Sequence, residues 1–177
     1  MVFLIELVDV KPRVWREVAV PEDYTFEDFH EVIQRAMGWE DYHMHSFDIY
    51  KGSKRYTIAP VHDVFDDFDV LDERKQKLID WIDKKTELFY TYDFGDEWVH
   101  SIKLLKIVDN NSNRPILIGG MGACPPEDSG GPRFYNEMVT ALKDPDHQLH
   151  EMAIELLGEG FKPDEFDPGL VDFSDLK

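Results

Sequence analysis

The chain has 177 residues, 42% of them hydrophobic and 13% aromatic, which is enough for one folded core and excludes a disordered or low-complexity protein. Its 37 acidic and 19 basic residues give a formal net charge of −18, which disfavours sequence-independent binding to nucleic acid or anionic lipid. The single cysteine excludes an intramolecular disulfide, and the short N-terminal apolar run lacks the basic region of a signal peptide, so we expect a cytoplasmic protein without a membrane span.

The N-terminal half is predicted to contain two pairs of strands with a helix between them. The helix has the clearest signals, because Thr25 and Asp28 have the spacing of a capping box and Gly38 provides a C-terminal stop. Alternating apolar residues indicate the strands on either side. In chain order we expect strands around 3–7 and 14–20, a helix over about 25–37, strands over 44–50 and 55–58, an acidic loop over 61–73, and a short helix around 76–82.

The C-terminal half is predicted to begin with a hairpin and end with two helices and an acidic tail. Gly95 lies in the hairpin turn, where we expect it to adopt positive φ. Five glycines and three prolines in 119–132 predict irregular structure there. Asp146 is expected to cap the last helix, with Met152 facing inward. In chain order we expect strands over 87–93 and 97–108, a polar loop over 109–113, an apolar segment over 115–118, helices over 132–144 and 146–158, and a tail over 161–177.

This order of elements predicts the fold class. Strands dominate the early and middle parts of the chain, and helices are inserted between them and appended at the end. We therefore expect a single α+β domain over residues 1–177, with a largely antiparallel sheet and helices packed on one of its faces. Strand order and oligomeric state stay open.

The segment from Tyr90 to His100 is the most distinctive in the chain, since it places three acids, one histidine and four aromatic residues around a single glycine. In a strand, Trp98 and His100 share one face with apolar neighbours. His100 is then either a hydrogen-bonded core histidine or a ligand or proton-transfer group beside Asp93 or Asp96.

A second candidate is the pair His43 and His45. Two histidines separated by one residue share a face of a strand, so both can reach one metal ion if a third ligand comes from elsewhere. The alternative is that they are partly buried and hydrogen-bonded. His30, on the apolar side of the first helix, is a weaker candidate ligand.

The loop rich in glycine and proline contains Cys124, Glu127 and Asp128. A phosphate-binding loop is disfavoured, because Pro132 removes an N–H group and the two acids would repel an anion. These acids either brace the loop or contribute to a cation site. Cys124 has no neighbouring base that would identify it as a nucleophile.

Two motifs carry a family resemblance over nearly the whole chain: Tyr-Asp-Phe-Gly-Asp-x-Trp-x-His at 92–100 and Cys-Pro-Pro-Glu-Asp-x-Gly-Gly at 124–131. With them, the chain resembles the plasmid pRiA ORF-three-like family. The resemblance implies a cytoplasmic α+β domain without an established activity. A resolvase-like label used for some members does not transfer, because a recombinase constellation is missing and the charge opposes DNA binding. The residues that the resemblance marks for attention are Asp93, Asp96, Trp98, His100, Cys124, Glu127 and Asp128.

Three hypotheses follow. The first is a non-enzymatic acidic binding or adaptor domain for a protein or peptide, without a cofactor. The second is a metal-dependent, hydrolase-like enzyme in which a divalent cation lowers the pKa of a bound water. The third is that both motifs are architectural. The ligands of the second hypothesis would be His43, His45 and His100 with carboxylates from Asp93, Asp96, Glu127 or Asp128.

Overall fold

The structure, a computed structural model, describes residues 1–61, 70–108 and 113–176. The strands are β1 (Val2–Leu7), β2 (Trp15–Ala19), β3 (His45–Lys51), β4 (Lys54–Ala59), β5 (Val70–Asp72), β6 (Glu87–Tyr92), β7 (Trp98–Lys106) and β8 (Ile116–Met121). The α-helices are α1 (Phe26–Met37), α2 (Leu78–Trp81), α3 (Gly131–Leu142) and α4 (His150–Leu157), and 3₁₀ helices cover Glu73–Lys75 and Pro168–Leu170. Within the described residues the strands form one sheet in the order β5-β4-β3-β6-β7-β1-β2-β8. All neighbouring strands are antiparallel except β4 and β5, so the predicted α+β class and largely antiparallel sheet are confirmed.

Helix α1 begins and ends as its sequence predicts. The Thr25 side chain accepts a hydrogen bond from the Asp28 N–H, and the Asp28 carboxylate accepts one from the Thr25 N–H. Gly38 ends the helix with φ of 90°. Side chains three and four residues apart face the sheet, where Phe29 packs between Phe3 and Phe47.

The same face of the sheet carries α3. Trp98, on β7, packs edge-on against Tyr135 of α3. His100 lies on the same face of β7 and pairs across strands with Leu7 on one side and Tyr90 on the other. One side of the sheet therefore holds the aromatic core, as predicted.

The prediction that 119–132 lacks regular structure is wrong at its start, because β8 continues through Gly119 and Gly120 to Met121. Gly120 allows close packing of the C-terminal segment against the strand. A side chain at Gly120 would collide with the ring of Phe166, which lies 3.7 Å from the Arg16 guanidinium carbon. Strand glycines often mark such a close approach.

The predicted start of the last helix is also wrong. Helix α4 begins at His150, and no side chain caps it. Asp146 lies in a turn closed by the Asp144 side chain, and the His150 ring contacts the Ala141 carbonyl oxygen at 2.8 Å. With this later start, Ala153 and Leu157 are the buried residues, and Met152 is 48% exposed.

Most of the predicted acidic loop over 61–73 lies outside the described residues, except for β5 and the 3₁₀ helix that follows it. The predicted polar loop over 109–113 also falls almost wholly outside them. Among the helices that the structure describes, none is both long enough and apolar enough to span a bilayer.

Candidate functional site

Three strand ends meet at one end of the sheet. His45 opens β3 and pairs with Tyr92, the last residue of β6, which in turn pairs with Trp98, the first residue of β7. His43 lies just before β3 and Asp93 just after β6. The antiparallel register therefore brings His43 and Asp93 to the same end of the sheet.

The loop after β8, which contains the motif at 124–131, is held against this end by contacts with Trp39 and with the motif at 92–100. The Trp39 indole N–H donates to the Pro125 carbonyl oxygen at 2.9 Å. The Gly130 N–H donates to the Asp96 carboxylate at 2.8 Å. A side chain at Gly131 would collide with the Asp96 carbonyl oxygen, so this position requires glycine. The two sequence motifs are thus packed directly on each other.

This packing surrounds His43 with three carboxylates, which we call the His43 cluster. The His43 Nε2 atom lies 3.1 Å from Asp128 Oδ1, 3.7 Å from Asp93 Oδ2 and 3.9 Å from Glu127 Oε2. The side chains of Asp93 and Glu127 are only 11% and 17% exposed, whereas that of Asp128 is 73% exposed. The cluster is therefore walled by protein on one side and open to solvent at Asp128.

Two of the acids use one oxygen for structure and turn the other towards His43. Glu127 Oε1 accepts from the Tyr92 hydroxyl at 3.0 Å and from the Glu40 N–H at 2.9 Å. Asp93 Oδ1 accepts from the Gly95 N–H at 2.8 Å. Within the described residues, His43 Nε2 and Glu127 Oε2 are buried and make no hydrogen bond. Hydrogen bonds to the surrounding protein hold Glu127 and Asp93 in place, while His43 Nε2 and Glu127 Oε2 remain free to contact a ligand.

The turn that carries Asp93 differs from the prediction. Gly95 does not adopt positive φ; instead Asp93 and Glu97 do, at 55° and 56°. Asp128 is also left-handed, with φ of 54°. Aspartate tolerates this conformation because its side chain can bond the local backbone, as Asp93 does with the Gly95 N–H. A Cβ at Gly95 would make a tight contact of 3.2 Å with Asp93 Oδ1.

His45 belongs to a different, buried group. Its Nε2 contacts Glu73 Oε2 at 2.7 Å, and its ring stacks on that of His30 with centroids 3.5 Å apart and planes 7° from parallel. The Gln34 amide donates to the Tyr90 hydroxyl at 2.9 Å, and that hydroxyl lies 2.8 Å from His30 Nδ1. His30 Nε2 faces the Asp41 carboxylate at 3.1 Å, and because a carboxylate only accepts, Nε2 carries the proton of the neutral ring and the Tyr90 hydroxyl donates to Nδ1.

This arrangement corrects the expectation that His43 and His45 share one metal ion. His43 groups with Asp93 and Asp128, whereas His45 groups with His30 and Asp41. The stacked pair is itself unsuited to a metal ion, because an imidazole nitrogen binds a metal in its ring plane, about 2.0–2.1 Å away. Two nearly parallel planes have no such point in common. Burial, together with the neighbouring His45, lowers the pKa of His30 to about 3, so His30 stays neutral.

The contacts made by His100, Trp98 and Asp96 support a structural role for these three residues. The fully buried His100 contacts the Tyr90 carbonyl oxygen at 3.2 Å, which requires Nδ1 to carry the proton. Burial lowers the pKa of His100 to about 4. In the described part of the chain neither His100 nor Trp98 joins a group of potential metal ligands. Asp96 accepts the Gly130 N–H and thereby joins the motifs.

Cys124 lies beside the cavity near Arg16 rather than in the His43 cluster. Burial raises the pKa of its thiol far above the ordinary value, and Arg16 offsets only part of this shift. A thiol with a raised pKa is a poor nucleophile.

The sequence does not indicate that Tyr92 and Glu40 support Glu127, or that His45 contacts Glu73. Tyr92 lies in the motif at 92–100, but the alternation of residues along β6 indicates only that its ring faces the core. The contacts join segments far apart in sequence, and no local pattern signals them.

Comparisons with known proteins agree with the sequence resemblance. The model of the plasmid pRiA4b ORF-3-like protein family matches residues 1–170. An uncharacterized protein of Sinorhizobium fredii, y4hQ, is 34% identical over 97% of this chain and 86% of its own. The crystal structure of a protein of unknown function, MM3350 from Methanosarcina mazei Go1, has a TM-score of 0.87 with 38% identity, covering 97% of both chains.

Proposed function

We propose that this protein, which belongs to the plasmid pRiA4b ORF-3-like protein family, binds a divalent metal ion through the His43 cluster and uses a metal-bound water for hydrolysis. The observation that carries the proposal is that donor atoms of His43, Asp93 and Asp128 all lie within 4.8 Å of one another, with Glu127 Oε2 beside them at 3.9 Å from His43 Nε2. Ligands with bonds of about 2.0–2.2 Å to one ion have such spacings.

An ion pair between protonated His43 and one acid does not explain why three carboxylates surround this histidine. Nε2 carries at most one proton, which can be shared well with only one oxygen. Three carboxylates around a single positive charge leave an excess of negative charge in a partly buried place, which is unfavourable. A dication would compensate more of that negative charge. It would also give a partner to His43 Nε2 and Glu127 Oε2, which are buried and make no hydrogen bond.

The donor set indicates which metals to test. One imidazole nitrogen with carboxylate oxygens suits zinc, manganese or ferrous iron better than the soft metals that prefer thiolates. The Tyr92 and Glu40 hydrogen bonds would orient Glu127, as residues behind metal ligands commonly do. The solvent-exposed side at Asp128 leaves room for a water molecule.

A metal ion in this position would supply the chemistry of the proposed reaction. It would lower the pKa of its bound water and make a nucleophile near neutral pH. Asp93 and Glu127 are held by the fold, and Asp128 lies on the solvent side of the cluster, where a substrate would approach the bound water.

The test is metal content and affinity of untagged protein purified without chelators. We expect about one zinc or manganese ion per chain, and at least about tenfold weaker binding in His43→Ala and Glu127→Gln. The matched controls His147→Ala and Asp146→Asn remove a histidine and an acid outside the cluster and should bind metal normally. Metal-dependent cleavage of chromogenic esters and peptide amides, lost in Glu127→Gln, would support hydrolysis. Protein that takes up neither metal, or variants that bind it as well as wild type, would refute the proposal.

A second candidate is the non-enzymatic binding or adaptor domain for a protein or peptide. It is favoured by exposed apolar side chains beside the acids: Tyr42 is 67%, Met44 61% and Phe94 49% exposed. Metal-loaded protein that binds a peptide but cleaves no ester or amide would select this candidate. Cleavage that tracks the bound metal would select the enzyme.

A further inference from the structure

Three exposed apolar residues, Tyr42, Met44 and Phe94, are chain neighbours of residues in the His43 cluster, and we call them the apolar rim. Tyr42 and Met44 flank His43 in the chain, and Phe94 directly follows Asp93. The Asp93 N–H donates to the Met44 carbonyl oxygen at 3.0 Å, which places the two segments side by side. Large apolar side chains exposed together commonly mark a binding surface.

In the described residues, the acids of the His43 cluster form no ion pair with a lysine or arginine. Elsewhere, arginine and lysine side chains pair with acids, as in Arg13 with Glu6 and Arg55 with Asp48. In the part of the chain that the structure describes, none of the lysine or arginine ion pairs involves the cluster acids. The Tyr42 hydroxyl donates to a further acid, Glu40. Even with a bound dication, the three carboxylates of the cluster outweigh the metal charge.

We propose that the rim and the cluster together bind a basic peptide segment, in which lysine or arginine alternates with aromatic or aliphatic residues. This inference rests on the proposed function, because it names the ligand class of the same site. Ammonium or guanidinium groups would meet the acids and the faces of Tyr42 and Phe94. The apolar side chains of the peptide would cover Met44 and Phe94.

The negative charge of the cluster and of the chain favours a basic peptide over other classes of ligand. Phosphate groups, nucleic acids and acidic peptides would be repelled by the cluster and by a chain with net charge −18. A second copy of the chain carries the same negative charge. A cationic ligand gains from both the local and the long-range field, and its association should weaken with salt.

The experiment measures fluorescence anisotropy of two short labelled peptides, with and without zinc. In one peptide lysine alternates with phenylalanine and glycine, and in the other glutamate replaces lysine. We expect binding of the lysine peptide only, weakened at high salt and about tenfold weaker in Met44→Ser and Phe94→Ser. Met152→Ser is the matched control, because Met152 is 48% exposed on α4, away from the rim. Zinc content should be unchanged in all three variants.

The outcomes separate the two proposals. Equal binding of both peptides, preference for the glutamate peptide or a phosphopeptide, or unchanged affinity in Met44→Ser and Phe94→Ser would overturn the peptide inference while the metal site stands. Rim-dependent binding of the lysine peptide by protein that takes up no metal would support the peptide inference and refute the metal site.

Discussion

The hydroxyl group of Tyr92 is the residue-scale feature on which the proposed site most depends. It donates to Glu127 Oε1 at 3.0 Å and accepts from the Tyr42 N–H at 2.9 Å, so it joins the loop before β3 to the loop after β8. Burial raises the pKa of Tyr92 well above its ordinary value, and the hydrogen bond to Glu127 raises it further, so the phenol keeps its proton. Tyr92 is therefore a positioning residue for Glu127.

We predict that Tyr92→Phe weakens zinc affinity about 10- to 100-fold, as loss of a hydrogen bond behind a metal ligand commonly does. The ring stays in the core, so circular dichroism should be unchanged, with stability reduced by about 2 kcal/mol for the two lost hydrogen bonds. Calorimetric titration with zinc measures the effect. Tyr50→Phe is the control, because the half-buried Tyr50 ring packs against Phe89 far from the cluster. Wild-type zinc affinity in Tyr92→Phe would mean that Glu127 is positioned without this hydroxyl.

At the scale of elements, the contact between the two motif loops depends on Gly131. Its φ is 76°, and a Cβ there would collide with the Asp96 carbonyl oxygen, whereas Gly52, in the turn between β3 and β4, has φ of 63° and open space around it. Both alanine variants carry the cost of a positive φ, about 1–2 kcal/mol. Only Gly131→Ala adds the collision.

We therefore predict that Gly131→Ala destabilises the protein by at least ~1 kcal/mol more than Gly52→Ala. Because the shifted loop carries Asp128, zinc affinity should also fall in Gly131→Ala but not in Gly52→Ala. Urea unfolding monitored by tryptophan fluorescence measures the first effect, and zinc titration measures the second. Equal stability of the two variants would show that the loops can separate at little cost.

Elements with local signals were predictable, and contacts between distant elements were not. The capping box of α1 and its glycine stop are encoded within a few residues, and both were predicted correctly. Asp146 was expected to cap α4 because it has a suitable side chain, but the turn after α3 delays the helix to His150. The His43 cluster depends on the strand order, which places the start of β3 beside the end of β6. Alternation along single strands contains no information about that order.

At the scale of the whole molecule, acid affects stability through two opposing terms. Protonating carboxylates reduces the self-repulsion of a chain with net charge −18, which favours the folded state. The buried histidines act in the opposite direction. His30 and His100 have folded pKa values of about 3 and about 4, below the unfolded value of about 6.5.

Between pH 6.5 and pH 4 the unfolded chain therefore binds protons at these two positions that the folded chain does not. Their contribution to stability is complete above pH 6.5 and is lost as pH falls, by up to about 1.4 kcal/mol per pH unit for each histidine. We predict that His30→Gln shows a smaller loss of unfolding free energy between pH 7.5 and 5.0 than wild type, whatever its absolute stability. Urea unfolding across this range measures the slope, and His147→Ala serves as the control for a partly exposed histidine. The charge-repulsion term is common to all three proteins and cancels in the comparison, so identical slopes for His30→Gln and wild type would contradict a buried, neutral His30.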